Sequence, residues 1–442
     1  MAKIVRNVAL LGATGTLGSH ILTALKGAGF SVTAIQRKDS TKTVPQGIKS
    51  VKVDLANKDD LVSVFKGQDA VISAVPNPAL LTEKTMIDAA IEASVKRIIP
   101  SEYSTNLDSP LVRKLPIVTE KIKVRDYLTS AISSSDSPTT WTSINNGPFF
   151  EMCLRFGVLG PNFREKKATF HNGGDNLVAT TTLPDIAATV AKILDPAHFA
   201  ETANQPVYIH SAAISERLLT DLASKVTGID FGTVEDGRIA NLDIDELVRD
   251  SDEKRSKGDM SGMFNYYYQM MYGKGYGGPD FKELSWNDRL GLKTMTEKDI
   301  EEEIRQKKLK CDRVLPLCGR CARAGEECSF PSSRKVNKGK RKQVRELEEK
   351  LIQLEGRIQT LSAGEATRSQ DLGTFTGTAT FSRSPALDGN RGGVGILEPQ
   401  GEDQPPSQDG ADEDHHGKHS PAVVASTELL EELQVTSFPL GT

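Results

Sequence analysis

Apolar and polar positions along the first three hundred residues follow two alternating periods. Short apolar runs at 5–11, 31–36, 49–55, 70–75, 96–100 and 140–144 are bounded by polar or turn-forming residues and predict buried strands. Between them, segments 17–26, 60–65, 82–93 and 120–132 predict helices. Short strands alternating with helices predict an α/β fold, a doubly wound parallel sheet of the Rossmann kind whose ligands sit at the carboxyl ends of the strands. From 147 to about 304 the alternation is less regular, which predicts a smaller substrate lobe and the last sheet strands. The pattern changes again at 342–361. Val344, Leu347, Leu351, Leu354, Ile358 and Leu361 fall at alternating spacings of three and four, a heptad that Gly356 weakens. It predicts a short coiled coil and a homodimer formed through it, against the simpler reading of an amphipathic helix without a partner.

Composition divides the chain further. Its 442 residues suit two or three domains. The net charge of −4 averages a strongly basic stretch, Arg305 to Arg345, with an acidic one, Glu402 to Asp414. From Ser362 onward aromatic residues are scarce and Gly, Pro, Ser, Asp and Glu dominate, so too little apolar surface is available to offset chain entropy and disorder is expected. The expected organisation is a nucleotide-binding domain with its lobe at 1–303, a partial zinc module at 304–331, a basic linker at 332–342, the coiled coil at 343–361 and a disordered tail at 362–442. Of 5 cysteines, Cys153 stands alone and the others crowd into 311–328, which argues for metal binding in a reducing compartment over a disulfide framework. No apolar run approaches membrane-spanning length, and Met1-Ala2-Lys3 leads straight into a strand without a signal-peptide core. The expected location is cytoplasmic, or nuclear if the zinc module functions.

The chemistry of the first domain is concentrated at a few positions. Gly12-Ala13-Thr14-Gly15-Thr16-Leu17-Gly18 lies between a predicted strand and a predicted helix, where glycines let backbone approach a pyrophosphate and the helix end presents N–H groups. Strand two ends in Gln36-Arg37-Lys38. An acidic residue there would take ribose hydroxyls, whereas an arginine accommodates a 2′-phosphate, so NADP is expected over NAD. The plainer reading makes Arg37 and Lys38 ordinary surface charges. Asp54, ending the third strand, either accepts from an adenine amino group or terminates the strand. The Tyr-x-x-x-Lys pair of short-chain reductases is absent from the sequence. Lys121 is the alternative: it shares an apolar stripe with Val124, Leu128 and Ala131, and burial would favour its neutral form and suit proton transfer. Otherwise it is a first-turn lysine that snorkels to solvent. Gly147, Phe149 and Phe150 either stand beside a nicotinamide and substrate or pack the core. His171 and Tyr266 to Tyr268 read as surface or packing residues.

Taken together, Gly12-x-x-Gly15-x-x-Gly18, Val53-Asp54-Leu55, Ile99-Pro-Ser-Glu-Tyr103, Lys121-x-x-Val124-Arg125 and Asn146-Gly147-Pro148-Phe149 resemble the NmrA-like/isoflavone reductase-like branch of the atypical short-chain dehydrogenases, most of all its fungal members. The resemblance covers about residues 5–300. It implies NADPH binding by the glycine turn and by the Asn146 to Phe149 segment, and hydride transfer to a small aromatic or quinone-methide-like substrate. It also implies that Lys121 is the general acid/base. Ser104 departs from the family, which often has glycine there, and puts the local turn in question. Some members bind the dinucleotide without turnover and act as redox sensors.

The segment Arg305 to Cys328, with Cys311-x6-Cys318-x2-Cys321-x6-Cys328, resembles the fungal binuclear zinc-cluster transcription factors. That resemblance implies a basic recognition helix, here Arg305–Lys310, followed by a linker and a dimerising coiled coil. Its first two cysteines should stand at 301 and 304, where this chain has Glu301 and Ile304. Four thiolates cannot hold two tetrahedral zinc ions, so Cys311, Cys318, Cys321 and Cys328 would bind one at most. The acidic run Glu301-Glu302-Glu303 would repel a phosphate backbone, so weak DNA binding through Arg305 to Arg345 is expected. The module begins abruptly inside its own motif, as joining two neighbouring reading frames would produce. The leading expectation is an NADPH-dependent reductase carrying a vestigial tail. The alternative is a zinc-cluster regulator whose first domain senses NADP(H).

Overall fold

A computed structural model describes residues 5–76, 82–276, 281 and 283–308. Its centre is a seven-stranded parallel sheet built from β1 (Asn7–Leu11), β2 (Ser31–Arg37), β3 (Lys49–Val53), β4 (Ala70–Ser73), β5 (Arg97–Ile99), β6 (Thr140–Asn145) and a later strand, Gln205–Tyr208. Their order across the sheet is Gln205–Tyr208, β6, β5, β4, β1, β2, β3. The chain therefore runs outward from β1 in one direction and then returns to cross the sheet in the other. This places a topological switch point between β1 and β4, where ligands bind in such sheets.

Strand β1 shows why these residues make this sheet. Val8, Ala9, Leu10 and Leu11 are all buried, because a parallel sheet is covered on both faces. Alternate residues serve opposite layers. Val8 and Leu10 pack with Leu17, Ile21 and Leu25 of α1 (Thr16–Gly27). Ala9 and Leu11 pack with Leu61 and Phe65 of α2 (Lys58–Phe65), Met86 and Ile87 of α3 (Glu83–Glu92), and Val124 and Leu128 of α4 (Thr119–Ser133).

The expected strands and helices are all present, with shorter strand ends that have identifiable causes. Val5 and Arg6 fall outside β1, since Asp69 Oδ2 accepts from Arg6 N (2.8 Å) and Asn7 N (2.9 Å) in place of a ladder. The third strand stops at Val53 because Asp54 turns the chain: its Oδ1 accepts from Ala56 N (3.0 Å), and its own N donates to Asp60 Oδ2 (3.3 Å).

The lobe follows β6. It comprises α5 (Phe150–Phe156), a sheet of β7 (Pro161–Asn162), β8 (Lys167–His171) and a later strand, Ile239–Leu242, and β9 (Val178–Thr180), which pairs antiparallel with Ala212–Ile214. Helix α6 (Leu183–Ile193) returns to pack on α1, and α7 (Pro196–Phe199) leads into β10 (Gln205–Tyr208), the last sheet strand. Then come β11 (Ala212–Ile214), α8 (Glu216–Thr227), β12 (Ile239–Leu242), α9 (Ile244–Ser256), α10 (Asn265–Tyr272) and α11 (Asn287–Leu290).

The last described helix, α12 (Glu297–Lys308), packs on α8 and α5 through Ile300 (4% exposed) and Ile304 (1%). It runs without interruption across the 303–304 seam expected from sequence. Arg305, expected to open a recognition helix, instead continues this one and pairs with Glu301 at 3.1 Å. Residues 309–442, with the four clustered cysteines, the linker, the heptad and the tail, lie outside the described residues. Among the described residues no cluster of metal-ligating side chains occurs, and no helix is long and apolar enough to cross a membrane.

Candidate functional site

The glycine turn sits at the switch point. Gly12 holds φ +77°, and a Cβ there would stand 2.3 Å from the Ala74 carbonyl oxygen just beyond β4. A Cβ on Gly18 would stand 2.0 Å from Gly12 O. Both positions therefore exclude any side chain, and the turn can press flat between two strand ends. Gly15 N donates to Gly12 O (2.9 Å), and Gly15 caps α1 without a side-chain hydrogen bond. No acidic residue occupies the first turn of α1, so its amides and dipole remain suited to an anion. Leu17 is wholly buried and anchors that turn, while Thr14 and Thr16 stand at its accessible edge.

Arg37 ends β2 with its side chain 68% exposed, 3.6 Å from Asp39. Lys38 reaches Asp60 at 3.4 Å. Asp54 is exposed and serves the turn described above. The structure thus brings the glycine turn and the Arg37-Lys38 pair to the carboxyl ends of adjacent strands, β1 and β2.

At the ends of β5 and β6 a second group assembles. Lys121 lies in the first turn of α4, and its Nζ donates to the backbone oxygen of Glu102 (2.5 Å). The residue as a whole is half-buried, and the protein packed around its ammonium pushes its pKa down to about 8 against the opposing pull of the Glu102 and Glu83 carboxylates. The expected stripe is present, with Val124 and Leu128 buried beneath it. Glu102 is buried in a two-pronged ion pair with Arg125, whose Nε lies 2.7 Å from Oε2 and whose Nη2 donates to Oε1. Arg125 also reaches Ser143 Oγ (2.5 Å) and Asp108 (3.3 Å).

The turn that carries Glu102 is tight. Glu102 N donates to Pro100 O (2.8 Å) and Ser101 Oγ to Val75 O (2.7 Å). Its left-handed residue is Tyr103, φ +29°, one place before the position where glycine was expected. Ser104 instead forms a bridge with Asn145, and Ser104 O accepts from Asn146 N (2.7 Å) and Gly147 N (3.0 Å). A buried aromatic residue at positive φ costs on the order of 1–3 kcal/mol, and such strain gathers at functional sites.

Asn146 to Phe149 continue this wall. Gly147 has φ +61°, and a Cβ there would come within 2.1 Å of Ala179 O, so this glycine is required by the close approach of β9. Pro148 O accepts from Thr180 Oγ1 (2.8 Å), and Phe149 and Phe150 are buried in the core. Asn146 Nδ2 donates to Gly147 O (2.7 Å), while its Oδ1 and the Tyr103 hydroxyl are buried without a protein partner. Buried polar atoms of that kind ordinarily have a partner. Together with turn positions that a Cβ would fill, they fit a dinucleotide.

Sequence reasoning missed Glu83 and treated the pair Glu102 and Arg125 only as motif letters. Glu83 opens α3, where an acidic residue reads as a favourable dipole partner, yet it is 1% exposed. His171 is likewise no surface residue. It is 1% exposed, holds Glu216 Oε1 at 2.7 Å and stacks on Tyr268 (4.0 Å) and Tyr272 (4.9 Å), packing the interior of the lobe.

Comparison with known proteins agrees with this geometry. Residues 5–234 match the NmrA-like family, and residues 305–337 match the fungal Zn(2)-Cys(6) binuclear cluster domain. Oxidoreductase aprR of Aspergillus flavus is 32% identical over 292 residues, covering 64% of this chain and 94% of that protein. The isoflavone reductase homolog IRL of Zea mays is 28% identical over 248 residues, covering 52% and 77%. The solved structure of AtPrR2 with NADP+ and (+)pinoresinol shares the fold, with a TM-score of 0.56 at 19% identity over 70% of this chain and 100% of that one. A match spanning residues 5–234, and a fungal relative aligned along nearly its whole length, mean that this protein belongs to the NmrA-like family.

Proposed function

We propose that the protein is an NADPH-dependent reductase of the isoflavone reductase-like type, acting on a small aromatic or quinone-methide-like metabolite with Lys121 as general acid. The observation that carries this reading is a lysine amine enclosed at the carboxyl ends of the sheet, with its pKa brought down to about 8, on the same sheet edge as the glycine turn. Gly12, Thr14, Gly15, Thr16, Leu17 and Gly18 hold the pyrophosphate, Arg37 and Lys38 the 2′-phosphate, and Asp54 the adenine. Asn146, Gly147, Pro148 and Phe149 form the wall beside the nicotinamide. When bound, NADPH supplies a hydride from its dihydronicotinamide ring to an electrophilic carbon of the acceptor. Lys121 delivers one proton from Nζ to the acceptor oxygen that gains the electron pair, then recovers a proton from solvent. Glu102 O fixes Nζ for that delivery, and the buried pair between Glu102 and Arg125 fixes Glu102.

A titration of the full chain with NADPH, read by fluorescence, tests the cofactor assignment. Arg37→Ala is expected to weaken NADPH by about 10-fold or more, the worth of a charge-assisted hydrogen bond, and to leave NADH unchanged. Equal losses for both coenzymes would assign Arg37 to the surface.

The match at 305–337 supports a second reading, a DNA-binding regulator with an NADP(H)-sensing domain that dimerises through the 343–361 heptad. Against its binuclear form stands α12, because the positions where the first two thiolates belong are occupied by Glu301 and Ile304, both turned into the lobe. Glu301 pairs with Lys225 at 2.8 Å, and Ile304 is 1% exposed. Elemental analysis of the purified full chain is expected to find at most one zinc per chain, held by Cys311, Cys318, Cys321 and Cys328. Two zinc ions per chain with tight, sequence-specific DNA binding would favour the regulator.

A further inference from the structure

The Glu102 turn is gripped from two sides. On one side Ser101 N donates to Glu83, 3.0 Å from Oε1 and 3.3 Å from Oε2. On the other, Glu102 O accepts from Lys121 Nζ at 2.5 Å. A buried carboxylate and an enclosed amine therefore hold two peptide groups of the same strained turn, those of Ser101 N and Glu102 O, with Tyr103 at φ +29° directly after them. The second nearby carboxylate, Glu102, is committed, since both of its oxygens accept from Arg125, which also reaches Asp108. Beyond Asp108, the Tyr208 hydroxyl closes that network at 2.7 Å. Among the described residues no arginine pairs with Glu83: Ser101 N is its hydrogen-bond donor, and the charges that act on it are those of Lys121 and Glu102. An interior carboxylate is stable only if it is protonated or paired with a cation, and the amine across the turn is the cation available.

We propose that Glu83 is a positioning residue for Lys121, a buried carboxylate on the same turn that, together with Glu102, favours the ammonium form of its amine. The role in turnover rests on the reading of Lys121 as general acid, but the charge coupling stands apart from any substrate. It has a defined sign. Burial lowers the proton affinity of Lys121 to about 8 against the charge of Glu102 and, after it, that of Glu83; burial raises the proton affinity of Glu83 to about 7 against its hydrogen bonds and the Lys121 charge. Removing either charge must move the other group by the same free energy.

Competitive labelling of the full chain with trace acetic anhydride across neutral and alkaline pH, read by mass spectrometry of the Lys121 peptide, measures that coupling. Glu83→Gln keeps the size of the side chain and an acceptor for Ser101 N. The expected result is a Lys121 labelling midpoint lower than in the wild type, with the excess of reactive amine greatest between about pH 7 and 8, where Glu83 carries its charge while Lys121 is still an ammonium. A midpoint unchanged in a folded Glu83→Gln protein overturns the proposal. Should that variant not fold, the reciprocal measurement decides. In Lys121→Met, the carboxyl band that titrates near neutrality in infrared difference spectra is expected at higher pH than in the wild type, and an unmoved band overturns the proposal. The two ideas fail separately. Unmoved midpoints remove Glu83 from the site while leaving Lys121 its role, whereas full turnover by Lys121→Ala removes the general acid while leaving the coupling measurable.

Discussion

Replacing Lys121 by alanine is expected to lower turnover by about 10²–10⁴-fold, the usual contribution of a positioned proton donor, while NADPH affinity changes by no more than about twofold. The selectivity follows from what Nζ touches. Its described hydrogen bond goes to a backbone oxygen, and no residue of the glycine turn depends on it. Alanine is also the best helix former, so α4 should tolerate the change. Steady-state NADPH oxidation with an aromatic acceptor found by screening gives the first quantity, and fluorescence titration the second. Lys121→Arg should not rescue, because a guanidinium gives up its proton far too reluctantly. In the wild type, the proton-donating form is the ammonium, so the rate should fall as pH rises through about 8 and stay level just below it. A Lys121→Ala enzyme turning over at the wild-type rate would end the general-acid assignment.

Arg97→Ala should cost stability on a comparable scale and leave the chemistry of the remaining folded protein intact. Arg97 begins β5, at the opposite end of the strand from the Glu102 turn, and is 0% exposed. Its Nε donates to Thr140 Oγ1 (2.9 Å), its Nη1 to Thr142 Oγ1 (2.5 Å) and Thr202 Oγ1 (3.0 Å), and its Nη2 to Phe199 O. The guanidinium also lies over the Phe199 ring, 4.2 Å from its centroid. Burial without a carboxylate among these partners brings its pKa down to about 10, still far enough above neutrality to keep it charged. Alanine would leave a cavity, three hydroxyls and a carbonyl without their donor, for a loss of about 3–5 kcal/mol. Denaturant unfolding of the full chain followed by circular dichroism should show a lower midpoint, with NADPH affinity per folded molecule unchanged. A midpoint shift below about 1 kcal/mol would mean that water replaces the guanidinium at little cost.

The parts of this arrangement that were legible from sequence are those in which local pattern and tertiary role coincide. The spacing of Gly12, Gly15 and Gly18 between an apolar run and a helix predicts a turn pressed against a strand end, and the sheet end it occupies follows from strand order. Lys121 was legible because an amine on an apolar stripe contradicts its surroundings. Arg97 and Glu83 carry no such contradiction. A basic residue beside Lys96 at a strand start, or an acid at a helix start, reads as surface, and only the threonines, the Phe199 carbonyl and the Ser101 amide brought from elsewhere reveal them as interior. Tyr103 was illegible for a related reason: its left-handed backbone is imposed by the grip on either side of the turn, and nothing in its side chain asks for it. Ile300 and Ile304, four residues apart, carry the apolar face of a helix that runs on to Lys308, so the helix and the zinc-cluster match overlap at 305–308.

That helix also limits how the protein can be cut for study. Ending the polypeptide at residue 303 would strip Ile304 from its seat and weaken the hold of Ile300, baring apolar side chains such as Leu219 and Leu222 of α8. The loss of Ile304 alone forfeits about 1.5–3 kcal/mol of burial, enough to turn a soluble recombinant fragment into an aggregating one. A workable amino-terminal product for crystallisation should therefore keep the whole of α12, through residue 308.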